Sequence, residues 1–248
     1  MNDSVSFWFS PEGIQVPAVT TAQMREVDRI AMEETGPNLF QMMENAGRSL
    51  ALHAMELIGP GWPRVEIVVL AGPGGNGGGG VCAARHLANR DAQVTLCLSE
   101  PRKLSSIAEW QLTIYKAAGG TLTDAAALLG GQGARPGIVV DALLGYSLSG
   151  QPRGAAAELI AWANTADAPV LSLDVASGID ATTGVAPGTA IQAHRTLTLA
   201  LPKTGLRVPQ TGDLWLADIG IPRSVYDRIG LRYLSPFGAE FSVPLRLP

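Results

Sequence analysis

Residues 65–90 read VEIVVLAGPGGNGGGGVCAARHLANR: an apolar run, then seven glycines within the nine residues 72–80, then an apolar pattern at helical spacing. Strand, loop and helix follow one another without a break. Glycine lets backbone approach a ligand closely and adopt positive φ, at an entropic cost wherever that freedom is not needed. So dense a cluster between strand and helix points to a loop wrapped around phosphate or another anionic group. Asn76 is the only side chain in it able to coordinate anything.

Working outward, continuous apolar runs recur at 65–71, 93–98, 137–144, 169–176, 195–202 and 213–220. Runs without polar alternation suit strands covered on both faces, as in a parallel sheet. Helical stretches lie between the first four, at 81–90, 105–119 and 154–166. The alternation predicts an α/β fold, a doubly wound and mostly parallel sheet with helices on both faces. Upstream, Thr20 or Thr21 caps a helix ended by Gly36-Pro37, and a second helix runs from Asn38 to Gly59-Pro60-Gly61. Residues 1–19 read as an irregular leader and 20–248 as one domain, with a proline-punctuated return at the end.

The 248 residues are 46% hydrophobic and 16% charged, ample for one large core. A net charge of −4, with no basic run, argues against non-specific nucleic-acid binding. Cys82 and Cys97 sit in apolar segments and read as buried free thiols. The N-terminus lacks the apolar core of a signal peptide, and no stretch approaches the roughly 18–20 apolar residues of a membrane span. A soluble cytoplasmic protein is expected.

Gly72, Gly74 and Gly77 satisfy G-x-G-x-x-G, with Glu100 near the end of the next strand, which is formally a dehydrogenase fingerprint. Three further segments fall at the carboxyl ends of predicted strands, where open α/β sheets place their ligands. They carry Asp141, then Asp174 with Ser177, then Lys203. An aspartate in an apolar strand is costly unless paired, hydrogen-bonded or beside a cation, so two of them beside glycine loops favour a polar site. Asn76, Asp141 and Ser177 offer hard oxygens, suited to an alkali or alkaline-earth cation. His53, His86 and His194 have no metal spacing, and no G-x-S-x-G elbow is present.

Taken together, MMENAG (42–47), GPGGNGGGGVCAARHL (72–87), VDALLGYSLSG (140–150), LDVASGID (173–180), LPKTGL (201–206) and DIGIP (218–222) resemble, in order and spacing, the YjeF N-terminal domain, the NAD(P)H-hydrate epimerase family. The resemblance implies a Rossmann-like fold, a homodimer, and interconversion of the R and S epimers of hydrated NADH and NADPH. A dehydratase completes that repair and is expected as a separate partner. It implies K+ ligands at Asn76, Asp141 and Ser177. Substrate contacts are implied at Gly75, Asn76, Gly77, Gly78, Gly79, Gly145, Tyr146, Ser147, Leu148, Ser149, Gly150, Gln151 and Asp174. Asp174 is the candidate acid–base residue; Lys203 would neutralise phosphate or cap the sheet.

Gly75 and Gly79 stand where the family carries Asn and Asp, Tyr146 where it carries Thr, Ser147 where it carries Gly, and Ala176 where it carries Pro. The alternative reading is a nucleotide-binding member with altered catalysis that acts as a binding or scaffold module. Met24, Met32, Leu39, Phe40 and Met43 form an apolar face that is either a dimer interface or core.

Overall fold

The computed structural model describes residues 6–131 and 135–248. The chain enters through a hairpin where an irregular leader was expected: β1 (Phe7–Phe9) pairs antiparallel with β2 (Gln15–Pro17). Trp8 faces Val16 across the pair and both are buried. Strands of three residues are too short to show the alternation that identifies a strand in sequence. Residues 1–5 of the expected leader lie outside the described residues.

Thr20 caps α1 (Thr21–Ile30) in a reciprocal box with Gln23, and Asn38 caps α2 (Leu39–Ile58) the same way with Gln41. Between them Ala31–Thr35 form a π turn that stops at Gly36, φ +106°. Next come β3 (Ile67–Ala71), α3 (Gly75–Ala88), β4 (Val94–Leu98), α4 (Ser106–Ala117), β5 (Thr121–Asp124) and α5 (Ala125–Leu129). Then follow β6 (Ile138–Ala142), α6 (Gly154–Thr165), β7 (Val170–Leu173), β8 (Arg195–Leu199), β9 (Asp213–Ala217), α7 (Arg223–Arg228) and β10 (Ser242–Pro244).

The main sheet has the order β10-β9-β8-β7-β6-β3-β4-β5, parallel except for β10 against β9. Alternate residues of each central strand feed two separate cores. Val68, Leu70 and Val139 pack with Met24, Val27 and Ile30 of α1 and with Leu159 and Ile160 of α6. Ile67, Val69, Ile138 and Val140 pack with Leu50 of α2, Val81 and Leu87 of α3 and Tyr115 of α4. Cover on both faces is why these strands carry no polar alternation. The six predicted runs are the six inner strands. The sequence reading did not include the edges β5 and β10, the first half-exposed and the second only three residues long.

After β3 the chain winds outward through β4 and β5, then crosses back to β6 and winds the other way. The crevice between the carboxyl ends of β3 and β6 is therefore the topological switch point, the place where such sheets bind ligands. Among the described residues, no helix is long and apolar enough to cross a membrane.

Candidate functional site

The glycine run is mostly helix. Only Gly72–Gly74 form loop; α3 starts at Gly75, so Gly75–Gly80 make its first two turns, and none of the seven glycines has positive φ. Their role is close approach. A Cβ on Gly72 would lie 1.9 Å from the Leu143 carbonyl oxygen, and one on Gly77 1.8 Å from that of Gly72. Gly78 meets Met43, and Gly80 meets Ala142. The glycines thus sink the first turns of α3 against the sheet and α2, at the switch point. Gly74, its N-cap, has no side chain to offer, so the first N–H groups of α3 lack a side-chain cap.

Asp141, next to last in β6, is fully buried, and four protein donors meet it. Oδ1 accepts from the Leu143 N–H (3.2 Å) and Ser177 Oγ (2.6 Å); Oδ2 accepts from Ser172 Oγ (2.8 Å) and the Ser177 N–H (2.9 Å). Burial still pushes its carboxyl above the usual range. Ser177 Oγ in turn accepts from the Leu144 N–H at 2.9 Å. Asn76 makes no hydrogen bond to either residue. It packs against Gly145, where a Cβ would come within 3.3 Å of its Oδ1, and its buried Nδ2 has no partner among the described residues. The segment 143–145 therefore separates Asn76 from a joined Asp141–Ser177 pair. One carboxylate and the neutral oxygens of Asn76 and Ser177 are the donor set that a weakly charged hard cation takes.

β7 and β8 both end in strained turns. Asp174 has φ +68° with the Val175 N–H bonded to Leu173 O at 2.8 Å; Ala200 has φ +62° with the Leu201 N–H bonded to Leu199 O at 2.7 Å. These are γ-turns of the rare positive-φ kind, and such strain persists only where the surroundings enforce it. The first turn aims Asp174 into the crevice, where its Oδ1 contacts Lys203 Nζ; the two residues are only 4% and 1% exposed. Lys203 Nζ also donates to Leu199 O (3.0 Å) and Thr198 Oγ1 (3.3 Å). The remaining carboxylate oxygen, Oδ2, accepts from the Tyr146 N–H at 3.2 Å. Lys203 is thus the charge partner of Asp174 and, through the carbonyl of Leu199 at the end of β8, also caps a strand of the sheet, as weighed from sequence.

These groups open on a cavity of about 600 Å³. Gly75, Asn76, Gly79, Gly145, Tyr146, Ser147, Leu148, Ser149 and Asp174 line it, as do Lys203 and, from α1, the π turn and α2, Met24, Asp28, Met32 and Leu39. Gly77, Gly78, Gly150 and Gln151, expected at the substrate, lie outside this lining, the first two because they face the Gly72 backbone and Met43 of α2. Asp141 and Ser177 lie beneath the lining segment Leu143–Tyr146. The sequence reading did not include Asp28. In MREVDRI it sits among charges on the polar side of an amphipathic helix, indistinguishable from its solvated neighbours.

Residues 39–205 match the family described as YjeF-related protein N-terminus. The chain belongs to the YjeF N-terminal family. It is 49% identical to an NAD(P)H-hydrate epimerase of Dehalogenimonas lykanthroporepellens, over 94% of this chain and 95% of that one. An NAD(P)H-hydrate epimerase of Rhodopirellula baltica is 35% identical, over 84% and 86%. The chain also matches the bifunctional NAD(P)H-hydrate repair enzyme Nnr of Salinibacter ruber at 38% identity, spanning 43% of its length. The fold is that of the yeast protein ynu0, with a TM-score of 0.78 at 23% identity, covering 92% of this chain and 99% of that one.

Within the YjeF N-terminal pattern, the two glycine departures have different room. Gly75 has nothing within 4 Å of a Cβ, whereas at Gly79 a Cβ would meet Leu173 Cδ2 at 2.7 Å. A side chain can start at the first position without a clash at Cβ; an aspartate at the second needs Leu173 to move.

Proposed function

We propose that this YjeF N-terminal protein is an NAD(P)H-hydrate epimerase, an isomerase that interconverts the R and S epimers of hydrated NADH and NADPH. The observation that carries this reading is the buried Asp174–Lys203 pair, held by a strained turn at the mouth of the switch-point cavity. The named activity of its relatives fits the same chemistry.

Hydration of a dihydropyridine places the new hydroxyl on a carbon bonded to the ring nitrogen, whose lone pair steadies the cation that water captures. Configuration at that carbon is lost when its C–O or C–N bond opens and is regained on closure from the other face. Either route takes a proton from oxygen or returns one to it, and a carboxylate within hydrogen-bond reach serves as its holder. Asp174 fills that role. Lys203 offsets the carboxylate charge in a setting where an unpaired ion would be costly. The uncapped N–H groups of α3 suit the phosphates of the dinucleotide.

Asn76, Asp141 and Ser177 would hold K+. When bound, it would supply a fixed positive charge beside the anionic substrate and Asp141. Repair would be completed by a dehydratase. The exposed Leu39, Phe40 and Trp110 offer a face for a homodimer, and a monomer mass by light scattering would remove that element. The buried thiols Cys82 and Cys97 fit a reducing compartment, and the cytoplasm is the proposed place of action.

The binding-module alternative draws on Gly75 and Gly79, which leave the first turn of α3 with Asn76 as its sole polar side chain. Incubation with one purified epimer, with and without K+, separates the two readings. The epimerase reading expects approach to the R/S mixture faster than the spontaneous rate and faster still with K+. Retained nucleotide binding with no acceleration would give the site to the alternative.

A further inference from the structure

Residue 146 is gripped at both ends by α1. The Tyr146 phenol donates to Asp28 Oδ2 at 2.5 Å, and Thr21 Oγ1 donates to the Tyr146 carbonyl at 3.2 Å. Its N–H, between those two anchors, is the donor that holds Asp174 Oδ2. The ring also stands 5.7 Å from Lys203 Nζ, over its face. No other donor reaches Asp174 Oδ2 among the described residues; Oδ1 takes Lys203 and the Leu199 N–H (3.3 Å). The orientation of the carboxylate about its own axis therefore depends on where the Tyr146 backbone is held.

The Tyr146–Asp28 bond is short and, with Asp28 ionised, charge-assisted, roughly twice as strong as a neutral one. Among the described residues no cationic side chain is bonded to Asp28, and burial pushes its carboxyl above the usual range. So half-buried an acid on an otherwise amphipathic helix is costly unless it is used. Among the described residues the phenol is the one hydrogen-bonding partner of its carboxylate.

We propose that Asp28, acting through Tyr146, is a positioning residue for the proton-holding carboxylate of Asp174. The chain of action runs from the α1 carboxylate to the phenol, from the phenol to the backbone of residue 146, and from that N–H to Asp174 Oδ2. It rests on the epimerase reading for its consequence in turnover, though not for its geometry. A misaligned carboxylate still binds substrate but transfers the proton poorly, so the loss falls on kcat and not on KM.

The test compares Tyr146→Phe, Asp28→Ala, Asp28→Asn and the double variant Asp28→Ala/Tyr146→Phe with the unaltered protein. Tyr146→Phe and Asp28→Ala are expected to lower kcat about tenfold with KM within twofold, and the double variant to be no worse than either. Asp28→Asn keeps an oxygen acceptor for the phenol and is expected to stay within about threefold of the unaltered rate. Amide hydrogen exchange at position 146 reads the same coupling without turnover, and should speed up in Tyr146→Phe but not in Asp28→Asn. An unchanged kcat in Tyr146→Phe, losses that multiply in the double variant, or unaltered exchange at position 146 would overturn the proposal. An unaltered protein that does not turn over would defeat the epimerase reading and leave the exchange result to decide this one. If Asp28→Ala does not fold, Tyr146→Phe and Asp28→Asn still decide.

Discussion

Glu44, Cys82, Arg85 and His86 join α2 to α3 with residue types much like those that, around Asp174 and Lys203, face the cavity. Arg85 Nη2 bonds Glu44 Oε2 at 2.5 Å and lies 3.4 Å from Cys82 Sγ, and Glu44 Oε1 also bonds His86 Nε2 at 2.8 Å. The ligating atoms of Glu44, Cys82 and His86 lie within 4.8 Å of one another, as a metal would want, but the guanidinium already stands among them. Burial raises the Glu44 carboxyl, yet the bond to Arg85 and its charge more than offset this, and burial pushes the Cys82 thiol up to about 12. The backbone is ordinary helix throughout. Around Asp174 the backbone is strained, the carboxylate faces open space, and a tyrosine from one loop and an aspartate from another helix converge on it. Residue type does not separate a structural cluster from a site. Ordinary helical backbone, against strained turns directed at a cavity, does.

That contrast breaks most visibly at the two ion pairs. Lys203→Met leaves Asp174 buried without a partner and should cost about 3–5 kcal/mol of stability together with the epimerisation rate. Glu44→Gln, in a pair that is partly exposed, should cost about 1 kcal/mol and leave the rate within twofold. Denaturant midpoints and initial rates measured on both variants check this, and a reversed pattern would erase the distinction.

His53 extends the structural class. It is buried, accepts from Arg195 on Nδ1 (3.1 Å), pairs with Ser242 on Nε2 (2.9 Å), and burial lowers its pKa to about 4. The unfolded chain therefore binds the proton that the folded chain refuses between about pH 6.5 and 4. Stability should fall through that window as pH drops, by about 3 kcal/mol, with no matching change in the site. Urea unfolding at pH 7 and pH 4.5 measures the slope, which His53→Gln should flatten; an unchanged slope would refute the assignment.

Within the glycine run the contrast sharpens to single positions. Gly77→Ala drives a Cβ into the Gly72 carbonyl and should destabilise by about 1–3 kcal/mol, whereas Gly75→Ala meets open space and should leave stability equal or up to about 1 kcal/mol higher. Thermal midpoints of the pair decide; equal losses would mean that the run is set by something other than close packing.

The inner strands were legible because burial on both faces writes an uninterrupted apolar run. The edges β5 and β10 and the β1–β2 hairpin were not, being exposed or only three residues long. The glycine run announced the switch point but misreported its own shape, since packing of a helix and wrapping of a loop select the same residue. Asp141, Asp174 and Ser177 stood out as polar breaks in apolar strands. Asp28 did not, because a helix whose outer face is charged hides the one charge that turns inward, and only the phenol of Tyr146, 118 residues away, reveals it.

The most direct measurement follows one purified epimer of hydrated NADPH with the unaltered protein and with Asp174→Asn. Asparagine tolerates positive φ, so the turn survives the change. The expected result is rapid approach to the epimer mixture by the first protein and, for the second, a rate lower by about 10²–10⁴-fold with nucleotide still bound. Equal rates for the two proteins would contradict the account.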